Sequence, residues 1–434
     1  MNTFYLVVYN ILLLIFSPVL ILYLIWALII SDHTRSGFFE RIGIVKKSKV
    51  KGHERILIHA VSVGENVAEK PIWHELKKIL PVGCEIMHSV TTDTGYKIAK
   101  KDFVAEGGDE LVYFPVDFLP CVVLFLLTVR PKIIVLLETE LWPNFLAFSK
   151  VFGIKVILAN GRISDRSIRG GKLISPIYKW MTSNIDLYLM QSEIDGERIA
   201  SLGADPERIV VVGNSKFDLV HYDKTDFSRK ILREKYNISM FDKVIIAGST
   251  HDTEEDIILA EYLVLKNTIP NLRLIIAPRD INRANTIKER AESFNLSIML
   301  RTSISESVVP QSSDVIILNT IGELATLYLI ADVAFIGGSF VSIGGHNVLE
   351  AAIFGIPVVF GPNMTNFRDI AEIVTANGVG KMALDKEDLR NFILDYLMTD
   401  ITIDERQKMN KEIFGKYIGS SKKTARLTKM MFNI

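Results

Sequence analysis

Short runs of β-branched and apolar residues recur along this chain, with segments of helical spacing between several of them. From residue 55, "RILIHA", "CEIMHSVT", "ELVYFPV", "KIIVLLE", "KVILAN", "LYLMQS" and "RIVVVG" read as strands. Runs that are apolar on both faces and spaced by crossover helices indicate a parallel sheet. Residues 221–241, "HYDKTDFSRKILREKYNISMF", break the pattern with a charged, weakly apolar stretch that suits a linker. The alternation then restarts with "KVIIAGS", "LRLIIAP", "DVIILN", "ADVAFIGG" and "IPVVFG". The second half opens as the first did, "KVIIAGSTHDTEED" echoing "RILIHAVSVGEN". The reading is α/β: two Rossmann-like domains, 32–220 and 242–434, facing one another with ligands at the carboxyl ends of the strands.

The segment ahead of the first domain differs sharply. Residues 1–31 carry no charged side chain. As a helix they would span about 45 Å, more than the roughly 30 Å of bilayer hydrocarbon. The segment lacks the basic start and small-residue cleavage site of a secretory signal. Just beyond it come Arg35, Arg41, Lys46, Lys47, Lys49 and Lys51, against only Asp32 and Glu40. The positive-inside rule then keeps that flank and the following domain on the cytoplasmic side of an inner membrane. The expectation is a membrane anchor over 1–31, with a shallow interfacial helix as the alternative to a span. The rest of the chain is long enough, at 434 residues and 49% hydrophobic, to bury two cores. Fifty basic and fifty acidic residues cancel, which argues against a dedicated nucleic-acid binder. Cys84 and Cys121 are far apart and form no CxxC pair, so they read as reduced cytoplasmic thiols with no zinc site.

Familiar fingerprints are missing. The chain has no GxGxxG, no GxxxxGK[ST] and no HExxH, which weakens dinucleotide, P-loop and zincin readings. It has no Asp-x-Asp, which argues against a metal-clamped sugar nucleotide. What it offers instead are carboxylates where apolar runs hand over to helices. Gly64 and Glu65 follow "ILIHAV"; the glycine suits a tight turn and Glu65 the first turn of the next helix. Such a Glu can simply complement the helix dipole, worth about 0.3–1 kcal/mol. Glu138 and Glu140 in "LLETELWPN" stand in the same relation to a strand, although Glu140 also suits an exposed charge at a helix start. Two strand-end carboxylates are what acid–base chemistry needs.

The second half carries features suited to a nucleotide. "FIGGSFVSIGGHNVLEAA" sets paired glycines before Asn347, a good N-cap, with Glu350 three residues on. That helix start suits an anion, and Glu350 suits ribose hydroxyls. Arg279, in "IIAPRD", is a forked donor suited to phosphate or an ordinary surface arginine.

Taken together, "HAVSVGE", "TTDTG", "ETELWPN", "NGRISDRS", "GNSKFD", "GSTHDTEE", "APRD", "NTIGEL" and "GGSFVSIGGHNVLEAA" appear in the order of a known family. The chain resembles the Kdo transferases, membrane-anchored enzymes that add 3-deoxy-D-manno-octulosonic acid (Kdo) from CMP-Kdo to lipid A precursors. The resemblance runs from the N-terminal anchor to about residue 425 and implies the two-domain GT-B glycosyltransferase fold. It implies that Glu65 is the catalytic base and that Glu138 and Lys216 stabilise the transition state. It further implies that Pro278 and Arg279, then Ile321, Gly322 and Glu323, then Asn347, Val348, Leu349 and Glu350 hold CMP. No metal or other cofactor is implied. The chain departs from the family at Asp280, where His is usual, and at Asn319 and Ile321, where Asp and Met are usual. Two rival readings share these features: a GT-B transferase or epimerase acting on a UDP sugar, and a catalytically inactive membrane-bound scaffold. The presence of Glu65, Glu138 and Lys216 counts against the scaffold.

Overall fold

The computed structural model describes residues 3–30, 37–46, 54–81, 83–104, 110–163, 167–168, 175–219, 229–304 and 312–433; within the first helix the side chains of 4–18 are described. The chain forms two compact units, Met1–Leu219 with Tyr417–Ile434, and Val220–Lys416.

The first unit is a seven-stranded parallel sheet in the order β3-β2-β1-β4-β5-β6-β7. Its strands are β1 (Arg55–Ala60), β2 (Glu85–Val90), β3 (Glu110–Tyr113), β4 (Ile133–Leu137), β5 (Lys155–Gly161), β6 (Leu187–Met190) and β7 (Ile209–Val211). Every residue of β1 and β4 is buried, as continuous apolar runs demand of central parallel strands. One face packs Leu57, Ile134, Leu136 and Leu158 against Phe125 and Phe145. The other packs Ile56, Ile58, Ile133 and Val135 against Ile72, Trp73 and Leu76. The strand order reverses between β1 and β4, so the chain leaves these two neighbours in opposite directions and opens a crevice at their carboxyl ends.

The second unit repeats the plan in the order β10-β11-β9-β8-β12-β13-β14, again all parallel. Its strands are β8 (Lys243–Thr250), β9 (Leu272–Pro278), β10 (Ile298–Leu300), β11 (Val315–Ile317), β12 (Val333–Ile336), β13 (Val358–Phe360) and β14 (Gly380–Met382). Its reversal falls between β8 and β12. Edge strands β10 and β14 lie outside the strand pattern read from sequence. Each is three residues long and incompletely buried, so neither carries a long apolar run.

Two expected boundaries need correction. The last 18 residues do not belong with 242–434. Helix α5 (Ser420–Met430) packs on helix α2 (Val63–Ile79) of the first unit. The Asp218 carboxylate accepts from the Gly419 and Ser421 amides at 2.5 and 2.6 Å, capping α5, and Phe217 stacks on Tyr417 at 4.8 Å. A polar helix with few large apolar residues leaves no sequence trace of that return. Nor is 221–241 a linker throughout. Residues 220–228 lie outside the described residues, but helix α3 (Arg229–Lys235) belongs to the second unit. Its buried Arg233 donates to Asp332 at 3.0 Å and to three main-chain oxygens. A buried arginine whose two terminal nitrogens are hydrogen-bonded reads in sequence as solvent charge.

Helix α1 (Thr3–Ile30) contains Pro18. Tyr9 donates to Asp117 at 3.0 Å and Asn10 to Asn144 at 2.6 Å, fastening the helix to the first unit. Phe4, Val7, Ile11, Leu14 and Ile15 stay exposed. Among the described residues no helix is long and apolar enough to cross a membrane. Of the basic flank, Arg35, Lys47, Lys49 and Lys51 lie outside the described residues.

Candidate active site

The first unit assembles its site at the sheet's reversal. Ser62 is the N-cap of α2, and its hydroxyl accepts from the Glu65 amide at 3.4 Å. The Glu65 carboxylate answers by accepting from the Val61 amide at 2.6 Å and the Ser62 hydroxyl at 3.1 Å. The capping role is therefore real. Gly64 does not make the turn, because it already lies in the first helical turn; extended Ser62 makes it. Yet capping leaves Glu65 poorly solvated. The residue is 7% exposed, and burial, then the charges of Glu138 and Glu140, push its carboxyl up to about 8 against the pull of Val61 and Ser62.

Glu138 follows β4 in the left-handed region, with φ 56°. A non-glycine residue there is held by its surroundings. Here the Glu138 amide donates to the Ala159 carbonyl at 3.0 Å, extending the β4–β5 ladder past the strand end. The side chain accepts from Lys216 Nζ at 3.4 Å. Lys216 is buried on the turn Ser215–Leu219, and a chain of amides sets it there. The Lys216 amide donates to Asn214 Oδ1, Asn214 donates to Gln191, and Gln191 donates to the Asn160 carbonyl, at 3.0, 3.0 and 2.9 Å. Asn160 Oδ1 accepts from the Ser215 amide at 2.9 Å. Glu140 accepts from Trp142 Nε1 at 3.0 Å, and burial raises its carboxyl. Glu65, Glu138 and Lys216, far apart in sequence, thus meet in one unit.

The second unit builds around its own strand–helix junction. Glu254 opens helix α4 (Glu254–Thr268) and is fully buried. Its carboxylate accepts from the amides of His251, Gly338, Ser339 and Phe340 at 3.0, 2.8, 3.0 and 2.9 Å. The first glycine pair therefore closes on an internal carboxylate. Gly337 is needed because a Cβ there would lie 2.4 Å from the Ser249 carbonyl oxygen. Nothing in "GSTHDTEE" by itself marks Glu254 for this role.

The expected nucleotide residues are of three kinds. Arg279 is exposed after β9, with no ion pair among the described residues, and its charge reaches Glu350, His251 and His346. Asn347 accepts from the Leu349 amide at 3.1 Å, but the helix is only Leu349–Ala352 with Val348 at its N-cap, so Asn347 caps from one residue earlier than expected. Burial raises the Glu350 carboxyl, opposed by Arg279 and by a bond from Asn347. Ile321 is exposed beside Gly322, whose φ is 92°. Glu323 is committed elsewhere. Arg301 grips it at 2.7 and 2.7 Å and Thr320 donates at 2.7 Å, holding its carboxyl down despite burial. Asp280 is turned to its own chain, accepting from the Asn282 amide at 3.0 Å. Pro278 ends β9.

A family model described as 3-deoxy-D-manno-octulosonic-acid transferase (kdotransferase) matches residues 36–219. The 3-deoxy-D-manno-octulosonic acid transferase of Haemophilus influenzae is 34% identical over 376 residues, 86% of each chain. This chain belongs to the 3-deoxy-D-manno-octulosonic acid transferase family. It is a family of glycosyltransferases. A bifunctional glycosyltransferase/methyltransferase of Fusobacterium nucleatum is 38% identical over 335 residues, 77% of this chain, which spans about half (51%) of that relative. The fold is shared with a UDP-GlcNAc 2-epimerase of Neisseria meningitidis at TM-score 0.54 and 12% identity, over 87% of this chain and 99% of that one. At that identity the likeness to the epimerase concerns architecture alone, and the two parallel-sheet units fit the GT-B plan.

Proposed function

We propose that this chain transfers Kdo from CMP-Kdo to a lipid A precursor, lipid IVA, in lipopolysaccharide core synthesis, with Glu65 as general base. The observation that carries the reading is the Glu65 carboxylate, capped at the end of β1 beside Glu138 and pushed up to about 8. A base so perturbed is stronger than an ordinary carboxylate and titrates near working pH, where general-base catalysis is most effective. Glu65 takes the proton of the acceptor hydroxyl as its oxygen bonds to the anomeric carbon of Kdo. The bond from that carbon to the phosphate oxygen breaks, and CMP leaves with the electron pair. Glu138 faces positive charge developing on the sugar, and Lys216 balances the carboxylates and the Kdo acid group. Preorganised charges of this kind act most strongly where water is excluded.

The second unit holds CMP through Arg279, Asn347 and Glu350, with Pro278, Ile321, Gly322, Val348 and Leu349 shaping the contact. Glu323, bound to Arg301, serves by fixing the 319–324 turn. The charge-free stretch 1–31 and the exposed apolar side chains of α1 support attachment to the cytoplasmic face of the inner membrane. That placement suits an acceptor whose acyl chains stay in lipid. The test is mass spectrometry of lipid IVA incubated with CMP-Kdo and the membrane-bound protein. Addition of one or more Kdo masses, inhibited by CMP and not by UDP, supports the reading; transfer from a UDP sugar alone would replace it with the rival GT-B reading.

A further inference from the structure

One pair of side chains near Arg279 has no part in the scheme above. His251 follows β8 and His346 precedes Asn347, and their Nε2 atoms lie 3.0 Å apart. The rings are nearly coplanar, at 2° with centroids 5.3 Å apart, so they meet edge to edge in a single N–H···N hydrogen bond. One ring must donate and the other accept, which fixes opposite tautomers for the two neutral imidazoles. Neither Nδ1 has a protein partner among the described residues, and both residues are only partly buried.

The pair is rigidly placed. Glu254 binds the His251 amide and the amides of 338–340, tying together the two turns that carry the histidines. The Gly345 amide donates to the Gly338 carbonyl at 2.8 Å, and a Cβ on Gly338 would sit 3.0 Å from the His346 ring. The charged groups facing His251 are Glu254, Arg279 and Arg283; Arg279 also faces His346, and Glu350 lies within reach of Arg279. Arg283 is already paired with Asp252 and Glu255. Burial, then Arg279 and His251, hold His346 down to about 4, and burial lowers His251 as well. Both rings are therefore neutral near pH 7.

We propose that His251 and His346 are binding residues for the anionic group of the donor, and that the pair takes up one proton as that anion binds. This rests on the reading that the second unit holds the nucleotide. The proton goes to the bare Nδ1 of whichever ring donates, so the N–H···N bond survives. A second proton would set two N–H groups against each other, so uptake stops at one. An anion beside Arg279 offsets the positive charge that adds to burial in keeping the rings neutral, and supplies an acceptor for the new N–H.

The test is isothermal titration calorimetry on the full-length protein in detergent, in buffers of differing ionisation enthalpy. The probe is the methyl ester of CMP, whose single phosphodiester charge does not titrate in the range used. The proposal expects fractional proton uptake and binding about three- to tenfold tighter near pH 6 than near pH 8. His251→Gln and His346→Gln should abolish the uptake and flatten the pH dependence. Binding without proton uptake in the unmodified protein would overturn the proposal while leaving the nucleotide reading intact. Undiminished pH dependence in both variants would overturn it too. No binding at either pH would overturn the nucleotide reading and this proposal with it.

Discussion

The two units open alike in sequence, each with an apolar strand, small residues and a Glu at the start of a helix, yet they use that Glu in opposite ways. Glu254 accepts four main-chain amides and is sealed from water. Glu65 accepts one amide and one hydroxyl, and shares its surroundings with two further carboxylates. A carboxylate bound by four donors is a structural brace that closes a loop. One bound by two, with like charges nearby, keeps lone pairs for a substrate proton and is unstable as an anion. The pattern of residues is shared; the number of donors that the fold brings to each carboxylate separates base from brace.

The largest expected effect breaks this comparison on the side of Glu65. Glu65→Gln keeps the acceptor half of the cap and removes the base, so turnover should fall about 10²–10⁴-fold while CMP affinity stays unchanged. In the unmodified protein the rate should climb with pH through about 8, as Glu65 ionises. Stability runs the other way. The folded protein holds a proton on Glu65 that the unfolded chain releases in the ordinary carboxylate range. Its stabilising contribution is complete below that range and is lost as pH rises to about 8. Glu65→Gln should therefore unfold at a higher temperature than the parent near pH 9. A pH-independent rate together with near-normal turnover in the variant would remove Glu65 from the chemistry.

Glu254→Ala should be the most destabilising change in the second unit, by about 3 kcal/mol or more, since it strands several buried amides at once. Urea unfolding of the variant checks it. A loss under about 1 kcal/mol would mean the loop closes without its carboxylate. Arg279→Ala should raise the CMP dissociation constant about tenfold, the size of one charge-assisted bond, with the fold unchanged. Unchanged affinity would move the nucleotide elsewhere. Smallest of all, Tyr9→Phe removes one hydrogen bond between α1 and Asp117. It should cost about 0.5–1.5 kcal/mol in the thermal stability of the first unit. No change would show that α1 touches that unit without supporting it.

Much of this is legible in the sequence. The strands of both sheets, apart from the short edges, announce themselves because central parallel strands must be apolar on both faces. Glu65, Glu138 and Lys216 were named from their motifs, and all three converge. Asn347 and Glu350 were placed at a helix start that proves one turn long and begins a residue later. What stayed hidden is polar and long-range. The buried Arg233, the return of α5 onto α2, the bond between His251 and His346 and the four-amide grip on Glu254 all join residues distant in sequence or read as surface charge.

Sequence by itself determined the secondary elements, the two-unit plan and the identity of the groups able to do chemistry, because hydrophobic period and turn residues act locally. Only the tertiary structure decided which carboxylate is satisfied and which is strained. Hydrogen-bond donors arrive from strands and turns tens of residues away, and desolvation depends on everything packed around the group. A glutamate's letter is the same at 65 and 254. Its use is set by the neighbours that folding supplies.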